Sequence, residues 1–308
     1  MTLSENQVAE FRDRGVLVVE GVLSNADLEP VITELIDFVD RRARELFAEG
    51  RITDLFAQEP FDRRIGKLFA QSPRVVNRLH YMRMGGPAMF AFLRNRSLLD
   101  AVQCLIGAEL MCSPIQHVRA KVPGRCARDG RGNEVIPWHQ DAATTGEEAD
   151  VSDIITCWIP LVDATRETGC MQVLPGAWRL GYLEHGVGTT IRPECLPDTQ
   201  PVHAECRKGG VVFMHKLTPH CSTENLGERV RWSIDLRYQK TGTPTGRPFY
   251  PDFPVRSAKR PETVLTDYEE WRRRWRESME AGKGRQLHRA PPEHASLLLT
   301  PAAATAPA

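Results

Sequence analysis

No stretch of the 308-residue chain reaches the roughly 20 apolar residues that a bilayer-spanning helix needs, so a membrane protein is not expected. The opening residues MTLSENQVAEF lack the basic-then-apolar pattern of a secretory leader. Net charge is missing too. Forty Lys and Arg balance forty Asp and Glu, which argues against a nucleic-acid surface or an anionic membrane partner. Eight cysteines, at 104, 112, 126, 157, 170, 195, 206 and 221, form no CxxC pair and no tight framework. In a chain of this length that implies reduced thiols and a cytoplasmic protein. The second half has none of the strand–helix alternation of a doubly wound sheet, and no internal repeat is evident. The glycines of GRCARDGRG lack the preceding strand and following helix of a phosphate cradle.

What remains is an ordinary soluble composition, 41% hydrophobic and 26% charged. Ser4–Gln7 reads as a capping box and GVLVVEGVL (15–23) as a strand. Ser24-Asn-Ala-Asp27 opens a long helix in which Leu28, Val31, Ile32, Leu35, Ile36 and Val39 recur at helical spacing. A second helical region is expected over about 86–107. From there the period changes. CSPIQHVRAKVPG, IPWHQDA, DIITCWIPLVDA, GCMQVLPGAW, GGVVFMHKLT and RVRWSIDLRYQ are short Val/Ile/Trp-rich runs punctuated by turn residues, as in a sandwich or barrel. The expectation is one domain over 1–290: a helix-rich first third, a barrel core at about 110–240 and a helix at about 267–282. That last helix opens with a capping box at Thr266–Glu269 and docks on the barrel by a stripe of Tyr268, Trp271, Trp275 and Met279. Residues 291–308 read as a disordered tail.

His139 and Asp141 follow a strand-like IPW, where side chains two apart share one face and a single metal can take both. GGVVFMHKLTPHCS offers His215 and His220 as the third ligand. Two imidazoles and one carboxylate leave open positions and suit Fe(II). Zinc would also accept them. Iron becomes the better reading if a co-substrate anchor exists. Arg231 in RVRWSIDLRY is such an anchor, because a buried guanidinium grips a carboxylate bidentately, with hydroxyl help from Ser222 or Ser233.

HQD (139–141), WIPLVDATRETGCMQVLPG (158–176) and HCSTENLGERVR (220–231) resemble the phytanoyl-CoA dioxygenase family. The resemblance covers roughly residues 8–240. It implies a mainly β fold with flanking helices: a double-stranded β-helix, the jelly-roll or cupin-like core. It also implies Fe(II), 2-oxoglutarate and dioxygen as cofactor and co-substrates. Ser222, Asn225 and Arg231 then match His220, so that His139, Asp141 and His220 would hold iron, with His215 a structural strand-end residue. Arg231 would take the distal carboxylate of 2-oxoglutarate, with Ser222 nearby, Trp158 lining the pocket, and Gln140 and His117 as lesser contacts. Lys121 resembles a family Lys-Pro position of undefined role, and Arg119 and Arg237 flank the expected mouth, where they could grip a charged substrate but default to solvated charge. His185, His203, His288 and His294 read as surface. Pro175-Gly-Ala-Trp178 replaces the family's Pro-Gly-Ser-His and is expected to alter the wall beside the substrate. Loops 124–134 and 143–153, with the helical third, are expected to close over the site.

The activity so implied is hydroxylation of an aliphatic C–H bond of a small molecule, with release of succinate and CO2. Asp141 favours that outcome, or desaturation or cyclisation, over halogenation, since halogenating relatives lack the carboxylate. The alternatives are a non-catalytic metal or 2-oxoglutarate binder on the same fold and a zinc-dependent hydrolase.

Overall fold

The computed structural model describes residues 1–77, 79–127, 135–186, 189–285 and 289. Two antiparallel sheets carry the core. The larger runs in the order β1 (Val16–Val19), β7 (Val211–His215), β4 (Ile155–Pro160), β9 (Arg231–Lys240), β2 (Leu110–Cys112), β10 (Phe253–Arg256), and β3 (His117–Lys121) also pairs with β9. The smaller is β6 (Val202–Ala204), β5 (Met171–Val173), β8 (His220–Ser222). Val16, Trp158, Val212 and Met214 of the first meet Met171, Val173 and Ala204 of the second in one buried cluster. Two facing antiparallel sheets closed around such a filling are a jelly roll.

β9 explains the layering. Trp232, Ile234, Leu236 and Tyr238 are fully buried on its outer face, beneath the N-terminal helices. Arg231, Ser233, Asp235, Arg237 and Gln239 alternate with them and point inward, so this strand has its polar residues inside the barrel. The helical layer consists of α1 (Glu5–Arg14), α2 (Asn25–Ala48), α3 (Phe61–Gln71), α4 (Tyr81–Met84), α5 (Pro87–Phe92) and α6 (Arg96–Ile106). Capping boxes at Ser4/Gln7 and Ser24/Asp27 open α1 and α2 as the sequence implies. Phe61 of α3 stacks on Trp232 at 4.8 Å between ring centroids and fixes this layer to β9.

Four local expectations are corrected. The 15–23 strand stops at Val19, where the chain turns toward Ser24. The 86–107 helix is two helices, because the Asn95 side chain accepts the Leu98 N–H at 3.0 Å and starts α6 afresh. α3 escaped the sequence pattern because Arg64 lies on its buried face, paired with Asp40 at 2.8 Å. The last helix, α7 (Tyr268–Ala281), is capped by Asp267, and its Trp271 stacks on Phe90 of α5 at 5.2 Å. It therefore docks on the helical layer instead of the barrel. No helix among the described residues is long and apolar enough to cross a membrane. The expected tail lies outside the described residues.

Candidate metal centre and adjoining anion pocket

His139 sits in an extended segment that bridges to His220 of β8, with N–H···O bonds of 3.0 Å in both directions. Asp141 follows at the start of a 3-10 turn (Asp141–Thr144). Register and spacing thus bring His139, Asp141 and His220 together, with one ligand atom from each lying within 4.8 Å of the others. His220 Nε2 is 4.0 Å from Asp141 Oδ1.

The donor set suits a divalent metal. His139 Nδ1 donates to the Pro137 carbonyl at 2.9 Å and His220 Nδ1 donates to Thr218 at 2.9 Å, which leaves both Nε2 lone pairs facing the cluster. Burial, reinforced by neighbouring His220, pushes His139 down to about 3, so its imidazole is neutral at pH 7. Burial alone would raise Asp141, yet the charge and hydrogen bonds of Arg237, with His220, hold its carboxyl far below the usual range. Arg237 Nη2 donates to Oδ1 at 2.5 Å and Nε to Oδ2 at 3.2 Å, and the Thr156 hydroxyl donates to Oδ2 as well. Arg237 is therefore no solvated mouth residue; it is 5% exposed and orients the Asp141 carboxylate.

A cavity opens beside the cluster, with Trp158, Met171, Met214, Ser222 and Arg231 in its wall. Arg231 is buried, over the Trp158 ring at 5.2 Å, with Nη1 on Ser233 Oγ at 2.8 Å and Nε on the Gly169 carbonyl at 3.2 Å. Among the described residues its Nη2 has no protein partner. Gly169 adopts φ +82°, and a Cβ there would stand 2.9 Å from the Thr223 carbonyl, so glycine sets the carbonyl that aims Arg231. Lys121, left undefined by the sequence, donates to Ser222 Oγ at 2.9 Å. Burial and the adjacent Arg231 charge bring its amine down to about 7. Ser222 Oγ also accepts the Ile136 N–H at 2.8 Å, so its own proton is free to be donated into the cavity.

Other expectations need correction. Gln140 is fully buried and turned away from its neighbours' face. Its Nε2 donates to Leu217 and Gly181 carbonyls at 2.7 and 2.9 Å, its Oε1 accepts the Leu183 N–H at 2.8 Å, and it does not line the cavity. It clamps the segment that carries the ligands. His117 shares the inward face of β3 with Arg119 and Lys121 but stands outside the lining residues. Burial, with Arg119 and Arg237 nearby, lowers it well below its ordinary value, leaving it neutral. His215 is kept out of the cluster, packed at a tilt against Trp178 with 4.7 Å between ring centroids and its Nδ1 accepting the Leu217 N–H.

Trp178 does not reach the substrate wall. It packs on the α1–β1 junction, donating to the Asp13 carbonyl at 3.3 Å, and a Cβ at Gly15 (φ +69°) would strike its ring. His185 is not surface either: it is 5% exposed and accepts the Gln140 N–H through Nε2. His203 is half-buried between Cys170 and Gln172, while His288 and His294 lie outside the described residues. Residues 143–153 do not close over the cavity. Lys216 Nζ pins the Ala149 and Asp150 carbonyls at 2.7 Å, and no residue of the segment lines the cavity wall. Of the 124–134 loop, residues 128–134 lie outside the described residues.

The sequence pattern of the family described as phytanoyl-CoA dioxygenase matches residues 11–233. Phytanoyl-CoA dioxygenase domain-containing protein 1 of Danio rerio is 25% identical over 259 residues, 74% of this chain and 87% of that protein. Among solved structures, the epimerase SnoN, crystallised with Fe3+, alpha-ketoglutarate and nogalamycin RO, superposes with a TM-score of 0.55 at 21% identity, over 79% of this chain and 86% of that one. The alpha-ketoglutarate-dependent carbocyclase SnoK gives a TM-score of 0.53 at 21% identity, over 77% and 84% of the two chains. These two likenesses concern the fold.

Proposed function

The chain belongs to the phytanoyl-CoA dioxygenase family, and from that premise we propose that it is an Fe(II)- and 2-oxoglutarate-dependent oxygenase that hydroxylates an aliphatic C–H bond of a small molecule. Residues 1–290 are taken as its single catalytic domain. The observation that carries the reading is charge placement. His139 and His220 of the three-ligand cluster share a cavity with the buried Arg231, Lys121 lines the cavity adjoining it, and neither cation has a carboxylate within ion-pair distance among the described residues.

On this reading His139, Asp141 and His220 hold the iron, which supplies oxygen activation coupled to oxidative decarboxylation of the keto acid. The residues of the chain do the rest. Arg231 binds the distal carboxylate of 2-oxoglutarate, Ser222 donates its hydroxyl proton to the same group, and Lys121 adds the second positive charge. Trp158 holds the Arg231 guanidinium by its ring face and closes one wall against water. Arg237 and Thr156 keep Asp141 ionised and oriented. SnoN and SnoK illustrate that small-molecule chemistries other than hydroxylation occur on this fold, so the outcome rests on how the substrate is seated.

The test is anaerobic. Fe(II) followed by 2-oxoglutarate should give a weak visible charge-transfer band in the intact protein, and a lost or weakened band in Arg231→Ala. Bound metal without a band in the intact protein would overturn the assignment. Turnover is the second readout: succinate production dependent on 2-oxoglutarate should vanish in His139→Ala.

A further inference from the structure

Two of the inward-facing charges are used neither by the metal ligands nor by the anion pocket. Asp235 on β9 is 6% exposed and lines the cavity. Its Oδ2 accepts from Arg119 Nε at 2.9 Å, while its buried Oδ1 has no hydrogen-bond partner. Arg119 on β3 is committed to Asp235 only through Nε; among the described residues its two terminal amino groups carry no protein hydrogen bond. It lines the cavity with the metal ligands and also an adjoining one.

Charge matching limits what belongs there. Arg237 is neutralised by Asp141, and Arg231 with Lys121 is taken up by the distal carboxylate of the co-substrate on the proposed reading. Arg119 and Asp235 neutralise each other, yet each keeps an unfilled side: a donor fork on one, an anionic acceptor on the other. Both side chains line the cavity that holds His139 and His220, so one small ligand there faces the pair. A buried acceptor left unfilled is destabilising, and a ligand that donates to it removes that cost.

We propose that Arg119 and Asp235 form a substrate-reading pair for a small acid bearing a hydrogen-bond donor beside its carboxylate, an α-amino or α-hydroxy acid. The carboxylate lies on the Arg119 fork and the ammonium or hydroxyl donates to Asp235 Oδ1. The inference rests on the oxygenase reading for the use of the site, but the pair itself is testable without it.

The experiment is calorimetric titration, under anaerobic conditions, of the Fe(II)–2-oxoglutarate protein and of the metal-free protein. The probes are a panel of L-α-amino acids and L-α-hydroxy acids, each with its methyl ester and its analogue lacking the α-substituent. At least one acid should bind about tenfold more tightly than both of its analogues. Arg119→Gln should erase the preference over the ester, and Asp235→Asn the preference over the donorless acid. Whether amino or hydroxy acids win identifies the donor. No binding by any acid, equal binding of the esters, or unchanged selectivity in both variants would overturn the proposal. Loss of the visible 2-oxoglutarate band in the two variants would also overturn it, assigning the pair to the co-substrate while the oxygenase reading stands. Absence of that band in the intact protein would remove the oxygenase reading, and the metal-free titration would still judge the pair.

Discussion

Arg237 grips Asp141 through two nitrogens, at 2.5 and 3.2 Å, with both side chains nearly excluded from solvent. The carboxylate of Asp141 is thereby charge-balanced and held in one orientation by the protein alone. Breaking the pair leaves a buried charge unmatched, which costs about 3–5 kcal/mol. Arg237→Gln is expected to lower stability by an amount of that order and to weaken Fe(II) binding about 10–100-fold. Chemical denaturation and metal titration check the two effects separately.

The same pair makes the fold independent of the ion. With Asp141 already neutralised and His139 neutral at pH 7, no repulsion is released when metal is removed. A chelator should leave the far-ultraviolet circular dichroism unchanged and lower the unfolding free energy only by the ligand-binding contribution, about 2.7 kcal/mol at a hundredfold excess over Kd. Cooperative unfolding on chelation would contradict this.

Lys121 gives the site a pH dependence whose sign can be stated. In the free protein its amine is depressed to about 7, so at pH 8 it is mostly neutral. A carboxylate placed beside it favours the charged form and raises the value again. Binding of 2-oxoglutarate above pH 7 should therefore take up a proton, and affinity should fall as pH rises from 7 toward the bound-state value. Calorimetry in buffers of different ionisation enthalpy measures the uptake, and Lys121→Met should abolish it.

Gly169 is expected to act on co-substrate affinity from outside the pocket. Gly169→Ala combines a left-handed backbone with a clash against the Thr223 carbonyl, moving the oxygen that holds Arg231 Nε. The Kd for 2-oxoglutarate should rise about tenfold, with Fe(II) binding little changed. Equal weakening of both would point to general unfolding.

Trp271 of α7 is fully buried against Phe90 and edge-on to Tyr81. Its replacement by Ala should cost about 3–5 kcal/mol in unfolding free energy. Because no residue of the helix lines the cavity, the 2-oxoglutarate band should persist in whatever fraction remains folded.

The sequence carried the ligands because metal chemistry admits few residue types and a strand places alternate residues on one face. His139 and Asp141 stood out by their spacing, and the resemblance of HCSTENLGERVR to the family joined His220 and Arg231 to them. The period-two pattern in HVRAK and RWSIDLRYQ also contained His117, Arg119, Lys121, Asp235 and Arg237. What it lacked was the direction of the faces. Polar residues alternating with apolar ones ordinarily point to solvent, and only the helical layer over Trp232, Ile234 and Leu236 turns that rule around. Gln140, Trp178 and His185 were misread for a related reason: their partners are backbone groups tens of residues away, which no local spacing reveals. Local chemistry thus determined which residues can hold a metal and an acid. Tertiary packing alone decided which charges are paired, by burying Asp141 against Arg237 and leaving Asp235 Oδ1 without a partner in the cavity.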